Sequence, residues 1–505
     1  MNTQLIQALQ HPQLYPHPVR GFRVLETHIS WVLLTGEVAY KIKKPVNLGF
    51  LDFSTLEQRR HFCHEELRLN QRFAPQLYLD VVAIRGTPPQ PRFDGSGEII
   101  EYAVKMREFD QQQRVDTLLS NTALDLASMD QFAADLAALH SQAPPAPPDA
   151  WFGSAEAVWA PMAENFLQLR TVAPSLDVSA PLEKLEHWSR AEFARWREVV
   201  IERKRTGQVR ECHGDLHTRN LLRHDGRILA FDCLEFDANL RWIDVINEAA
   251  FLVMDLDACG RPAFGRRFLN HYLERSGDYA GVRLLRLYLT YRALVRAKIA
   301  ALQEQPEAKA EFHHYFALAQ RYITPVKPVL IIMHGVSGSG KSTLSQYLVE
   351  EFGLIRVRSD VERKRMFAQA PPPSGGMYTA SVSDAVYQRL AALAESLLTC
   401  GYSTVLDATF LQRAQRSLLR DLAQRLRLPF VILHCHAPQR VLEHNILQRA
   451  RTGGDASDAD LQVLQRQILS QEPLDGTEIA AVIEVDLSVN FDAAALKQQL
   501  HKYFL

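Results

Sequence analysis

The sequence predicts an α+β domain of two lobes, the first β-rich and the second helical, followed by a separate α/β domain with a parallel sheet. Three observations carry this reading. β-like runs at His28–Leu34, Glu37–Ile42 and Tyr78–Ile84 surround one helical pattern at Thr55–Phe73. Helical periodicity then dominates to about Arg321, as in Leu284, Leu287, Tyr288, Tyr291, Leu294 and Val295. After Pro328, strand candidates at Val329–Met333, Leu354–Arg358, Thr404–Leu406, Val431–His434 and Val482–Val485 alternate with helical stretches. The expected boundaries are residues 1–321 for the first domain, with lobes near 1–103 and 110–321. Tyr322–Pro328 is the linker, and 329–505 is the second domain. Proline-rich Ser141–Gly153 reads as a semi-rigid connector, and Gln369–Gly376 as a mobile loop.

Composition narrows the class. At roughly 150 residues per domain, the length predicts about three compact units. Hydrophobic residues make up 47% and charged residues 23%, which excludes disorder and fibrous repeats. The 57 basic and 58 acidic residues leave a net charge of −1, so no general basic field exists to hold nucleic acid. The opening MNTQLIQALQ lacks the basic and apolar regions of a secretory signal. Apolar runs such as Val329–Met333 are short, far below the ~18 residues of a membrane span. Six cysteines form no CxxC pair and read as reduced thiols of a cytoplasmic protein.

The strongest motif is Gly335-Val336-Ser337-Gly338-Ser339-Gly340-Lys341-Ser342, a complete GxxxxGK[ST] followed by Thr343. It lies between a strand candidate and a helix whose Leu344, Tyr347 and Leu348 share one face. Its glycines let backbone N–H groups converge on phosphate oxygens, and the helix N-terminus adds partial positive charge. Lys341 is expected to reach the β/γ-phosphates of ATP, and Ser342 to join the Mg²⁺ shell. Asp360 follows the second strand, where it can activate an acceptor hydroxyl; it or Ser359 can equally cap the next helix. Asp407 ends its strand and can hold Mg²⁺ through water, bind substrate, or close a turn. Arg440, Arg449 and Arg451 precede Gly453-Gly454, which suits a lid near 440–460 over phosphates; a solvated helix face is the alternative. Ser457-Asp458-Ala459-Asp460 offers a capping box beyond it.

These residues, with RSDVERKR, VLDATF and RARTGGDASDAD, make residues 328–505 resemble small P-loop kinases of the polynucleotide-kinase and zeta-toxin type. The resemblance implies Lys341 and Ser342 at ATP and Mg²⁺, Asp360 as hydroxyl-activating carboxylate, and Arg449 or Arg451 as lid arginine. It leaves the acceptor open.

A second set lies in the middle of the chain. His213-Gly214-Asp215-Leu216-His217-Thr218-Arg219-Asn220 has the Asp-to-Asn offset of the kinase catalytic loop. There Asp215 would take the acceptor proton while Asn220 holds Mg²⁺. Ile228–Asp232 supplies an apolar strand ending in a second metal carboxylate, Asp232. Upstream, Val38-Ala39-Tyr40-Lys41 matches the strand whose lysine grips phosphates, with Lys43 on the same face as the alternative. Glu65 or Glu66 is its candidate ion-pair partner. These motifs resemble the aminoglycoside-phosphotransferase-like family, which includes choline kinases. The resemblance spans roughly residues 20–300, implies a bilobal kinase-like fold, and puts the adenine-binding connector at Tyr102–Phe109. Two departures stand out: no GxGxxG loop precedes Lys41, only Gly36, and no APE follows Asp232.

Asp237, Asp244, Glu248, Asp255 and Asp257 form an acidic stretch that can receive a cationic acceptor or serve as caps and a solvated face. The arginine-bearing helix Val282–Leu302 reads as an amphipathic packing helix, with a phosphate- or RNA-binding stripe as the minor alternative. His313-His314 is given no role. The leading expectation is a bifunctional ATP- and Mg²⁺-dependent phosphotransferase acting on small-molecule or nucleotide hydroxyls. The alternatives are a non-catalytic N-terminal module, or a short nucleic acid as acceptor of the C-terminal domain. Oligomeric state has no signal in the sequence.

Overall fold

Alternation in the first hundred residues builds an antiparallel sheet of six strands: β1 Arg23–Glu26, β2 Ser30–Leu34, β3 Val38–Lys43, β4 Tyr78–Thr87, β5 Gln90–Arg92 and β6 Ile99–Arg107, in the order β1-β2-β3-β6-β4-β5. The structure is a computed structural model and describes residues 2–49, 51–303, 306–368, 379–452, 457, 459–487 and 492–504. The expected Gln369–Gly376 loop and the Gly453-Gly454 hinge lie outside them. The period of two along β3 sends Tyr40 and Ile42 to one core, shared with Leu5, Leu9 and Leu33. Ala39 joins Cys63, Tyr78 and Val104 on the other, beneath the helix Leu56–Asn70. Lys41 and Lys43 therefore face that helix. It starts at a capping box between Thr55 and Gln58, which sets its register against the sheet.

Two readings change here. β6 runs to Arg107, so most of the expected connector Tyr102–Phe109 is sheet and the crossing begins at Glu108. The stretch at Ser141–Gly153 marks no domain boundary. It follows the helix Ala127–Gln142, and Ala146 N–H donates to Val209 O at 2.8 Å within the helical lobe. That lobe holds the short strands β7 Val209–Glu211, β8 Leu221–His224, β9 Arg227–Ala230 and β10 Trp242–Asp244, paired β7 with β10 and β8 with β9.

The α/β part has five parallel strands: β11 Leu330–His334, β12 Ile355–Arg358, β13 Thr404–Asp407, β14 Phe430–His436 and β15 Val482–Asp486, in the order β12-β13-β11-β14-β15. Every residue of β11 is buried, as expected for a central parallel strand. The chain forms two compact units, Met1–Arg261 with Leu287–Ala319, and Pro262–Arg286 with Gln320–Leu505. The expected boundary at 321 follows the chain; the packing does not.

The exchanged segment has a physical task within the second unit. β12 is an edge strand, and an edge leaves N–H and C=O groups unpaired. Asn270, on the helix Pro262–Ser276, answers both: its Oδ1 accepts from Arg356 N at 2.7 Å and its Nδ2 donates to Leu354 O at 3.1 Å. Arg266 donates to the carbonyls of Glu350 and Glu351 at 2.8 and 2.7 Å, closing the C-terminus of the helix Lys341–Phe352. Asn270→Ala should lower the stability of this unit by about 1–3 kcal/mol, because two buried backbone groups lose their partner. Hydrogen exchange checks it: the Arg356 amide should exchange faster in the variant, and unchanged protection would contradict the role.

Candidate functional site

In the first unit the helix-facing lysines of β3 converge on one carboxylate. Glu66 has no solvent exposure; its Oε1 lies 2.7 Å from Lys41 Nζ and its Oε2 2.7 Å from Lys43 Nζ. Lys41 also reaches Asp232 Oδ1 at 2.5 Å, and Lys43 pairs with Glu235. The two candidate lysines differ in position: Lys41 touches Asp232, whereas Lys43 lies behind it against Glu235. Glu65 points elsewhere, to Arg68 at 2.8 Å and Arg241 at 3.6 Å. Burial opposes the charge on Lys41, but Asp232 and Glu66 outweigh it and hold its pKa well above the usual value. Burial likewise opposes ionisation of Glu66, and the two lysines hold it well below the usual carboxylate range.

The loop His213–Asn220 is held from behind. Glu248 accepts the N–H groups of His213 at 2.6 Å and Gly214 at 3.1 Å, and Asp255 accepts from Thr218 Oγ1 at 2.6 Å. Asn220 Nδ2 donates to Asp215 Oδ2 at 3.0 Å, which leaves its side-chain carbonyl oxygen available as an acceptor. Partial burial opposes ionisation of Asp215, yet His217, 3.3 Å away, and His213 hold the carboxyl well below its usual range. Asp215 is therefore a carboxylate aimed by its neighbours. Asp232 sits at φ +63°, a left-handed conformation uncommon outside glycine, with its N–H on Tyr78 OH at 3.0 Å. Where a glycine-rich loop would cover phosphates there is a tight turn at Gly36, whose N–H donates to Glu108 Oε2 at 2.7 Å.

The acidic stretch after Asp232 does not form an open anionic face. Asp244 pairs with Arg203 at 2.6 Å, Asp237 caps its own turn through Asn239 N at 2.8 Å, and Glu248 and Asp255 hold the loop. Glu235, Glu248, Asp255 and His217 carry no spacing rule, and the sequence reading gave none of them a role in positioning the site.

In the second unit the phosphate loop lies at the C-terminal end of β11, where β13 and β14 flank it on opposite sides, the switch point of an open parallel sheet. Gly338 and Gly340 have φ +84° and +86°, and a Cβ on Gly338 would stand 2.6 Å from Leu442 O. Lys341 Nζ folds over the loop to Val336 O at 2.8 Å. A cavity of about 570 Å³ opens there, lined among others by Lys341, Ser342, Asp360, Asp407 and Arg449. Gly338, Gly340, Ser337 and Thr343 also line it; Gly335 and Ser339 brace the turn from inside. Arg451 is exposed and outside the lining, so of the two expected lid arginines only Arg449 reaches the cavity. Asp360 caps nothing: the helix Ser359–Met366 has Arg358 at its cap position, and Asp360 faces the cavity from the first turn. Burial raises its pKa, against the pull of Ser457 and the nearby arginines. Asp460, not Ser457, caps the next helix, Leu461–Ser470. Asp407 Oδ2 accepts from Ser345 Oγ at 3.1 Å beside Ser342. The sequence reading also missed Gln467, whose Oε1 accepts the Ser337 N–H at 2.7 Å, and Asn445, which donates to Gly338 O at 2.8 Å.

Both carboxylate sets suit a hard divalent cation, Asp232 with Asn220 in one unit and Asp407 with Ser342 in the other. Residues 53–285 match the phosphotransferase enzyme family and residues 330–474 match an AAA domain. An uncharacterized protein of Mycobacterium tuberculosis H37Rv is 33% identical over 454 residues, covering 87% of this chain and 89% of its own. The chain belongs to the same family as that protein. It is a two-domain protein of the kinase class, a phosphotransferase-family domain joined to a P-loop kinase domain. Among solved structures, a choline/ethanolamine kinase family protein from Mesorhizobium loti is 12% identical, covers 64% of this chain and 95% of its own, and has a TM-score of 0.39. A sugar kinase from Janibacter sp. HTCC2649 is 24% identical, with 35% and 94% covered and a TM-score of 0.27. No described helix is long and apolar enough to cross a membrane.

The burial of His213 predicts a loss of stability in acid. Its Nε2 faces Phe231 O at 2.9 Å and its Nδ1 accepts from Asp215 N, so the ring is neutral with the proton on Nε2. Burial holds its pKa down to about 4. The unfolded chain, with an imidazole near 6.5, binds the extra proton first. The stability His213 contributes is complete above about pH 6.5 and is lost as pH falls toward 4, on the order of 3 kcal/mol. Urea midpoints at pH 7 and pH 5 should differ less for His213→Asn than for the natural chain; equal slopes would contradict this.

Proposed function

We propose that each unit is an ATP- and Mg²⁺-dependent phosphotransferase, moving the γ-phosphoryl group to a hydroxyl of a small molecule or nucleotide. In the second unit the reading rests on one cavity shared by Lys341, Ser342, Asp407 and Asp360. Lys341 would neutralise charge on the transferring phosphoryl, and Asp360, its pKa raised by burial, would take the acceptor proton. A divalent cation at Ser342 and Asp407 would supply charge neutralisation between phosphates.

In the first unit Asp215 would accept the hydroxyl proton, with Asn220 and Asp232 as the cation-holding pair. Lys41 is the phosphate-gripping cation, which requires it to trade Asp232 for phosphate oxygens. The contact of Lys41 with Asp232, together with the turn at Gly36 in place of a glycine-rich loop, favours a second reading of this unit. It would then bind nucleotide without turning it over.

Single substitutions separate the readings. Asp215→Ala and Lys341→Ala should each remove a different ATP-dependent reaction, with a loss of at least about a hundredfold, the usual worth of a general base or a phosphate-clamping charge. If only Lys341→Ala has an effect, the first unit is a binding module. If neither does, the enzymatic reading fails.

A further inference from the structure

The surroundings of Asp215 carry information about its acceptor. A cationic acceptor needs unengaged carboxylates near the base, and the acidic residues after Asp232 are committed elsewhere. Asp244 is paired with Arg203, Glu248 accepts two backbone N–H groups, and Asp255 accepts from Thr218 and from Tyr315 OH at 3.3 Å.

The charge that acts on the base from the helix Val282–Ala301 is positive. Arg296, on the helix Val282–Ala301, acts electrostatically on Asp215 and has a side chain only 10% exposed. Its guanidinium lies 5.3 Å from the Tyr315 ring centroid, and its Nη2 is 3.4 Å from Glu311 Oε1. Glu311 also faces Arg219 of the catalytic loop at 3.7 Å, so one carboxylate serves two guanidiniums. Arg296 Nε is buried with no hydrogen-bond partner among the described residues. A buried N–H left without an acceptor is costly, and a guanidinium fork matches a planar or tetrahedral oxyanion. An orphan donor on a cation whose partner Glu311 also faces Arg219 of the loop is open to an acceptor atom brought by a ligand.

We propose that Arg296, helped by the more exposed Arg219, holds a carboxylate or phosphate group of the acceptor, so that the first unit phosphorylates a small anionic hydroxy compound. This rests on the reading of the first unit as a phosphotransferase. In the step, the acceptor oxygen forms a bond to the γ-phosphorus and the bond from that phosphorus to the β-phosphate oxygen breaks. The hydroxyl proton passes to Asp215, and ADP leaves with the electron pair of the broken bond.

The test uses the full chain carrying Lys341→Ala, which silences the P-loop unit, with radiolabelled ATP and matched probes. These are gluconate against glucitol, glycerol 3-phosphate against glycerol, and choline as the cationic probe. Transfer is expected to at least one anionic member and to none of the neutral or cationic ones. The two anionic arms distinguish carboxylate from phosphate. Arg296→Gln should raise the KM for that acceptor about tenfold or more while the KM for ATP moves less than about twofold, with Arg296→Lys recovering part of the loss. Equal or better transfer to glucitol, glycerol or choline overturns the proposal, as does an Arg296→Gln chain with unaltered acceptor KM. Calorimetry on the same Lys341→Ala chain separates the two levels. MgATP binding without transfer to any probe overturns the anionic acceptor alone, and no MgATP binding removes the phosphotransferase reading with it.

Discussion

The cleft of the first unit depends on Glu66, a carboxylate with no solvent exposure held between two ammonium groups of one strand. Taking such charges from water costs several kcal/mol per ion, and only close pairing offsets it. Because β3 repeats every second residue, Lys41 and Lys43 must face the same helix, and the capping box at Thr55 sets where along it Glu66 falls. Glu235 then balances the deeper lysine, and Lys41 is left to bridge Glu66 and Asp232. The sheet, the helix and the segment after β9 that carries Asp232 are thereby locked to one another by charge. Phosphate and a cation arriving together would compete for both ends of the Lys41 contact.

The second unit is built on backbone geometry instead. Its phosphate loop depends on a central strand buried on both faces, and on glycines where a side chain would strike Leu442 or Cys435. Gln467 holds the Ser337 N–H with a neutral carbonyl. The helix Leu461–Ser470 thus rests on the loop through a contact that an anionic oxygen would make more strongly.

Local patterns made much of this legible. The P-loop, the Asp215-to-Asn220 spacing and the apolar strand before Asp232 are short-range features, and the elements predicted around them lie within a few residues of those observed. Lys41 against Lys43 and Glu65 against Glu66 were undecidable in sequence, because strand period and helix exposure give neighbours equal standing; a contact with Asp232, distant in sequence, is what distinguishes Lys41 from Lys43 in position. Glu248, Asp255 and Asn270 were invisible as site and edge supports for the same reason: each bonds backbone groups far along the chain. The exchange of Pro262–Arg286 into the second unit has no local signal, since an amphipathic helix does not name the sheet it covers. Arg451 and Asp360 show the converse, where a plausible local role, lid or cap, yields to where the chain points the side chain.

A structure of the full chain with Mg²⁺ and a non-hydrolysable ATP analogue tests the two-site reading most directly. It should hold two nucleotides, one on the loop at Gly335–Ser342, and one in the first cleft with Lys41 Nζ moved from Asp232 to phosphate oxygens and a cation at Asp232 and Asn220. A single nucleotide, confined to the P-loop, with Lys41 still on Asp232, would contradict it.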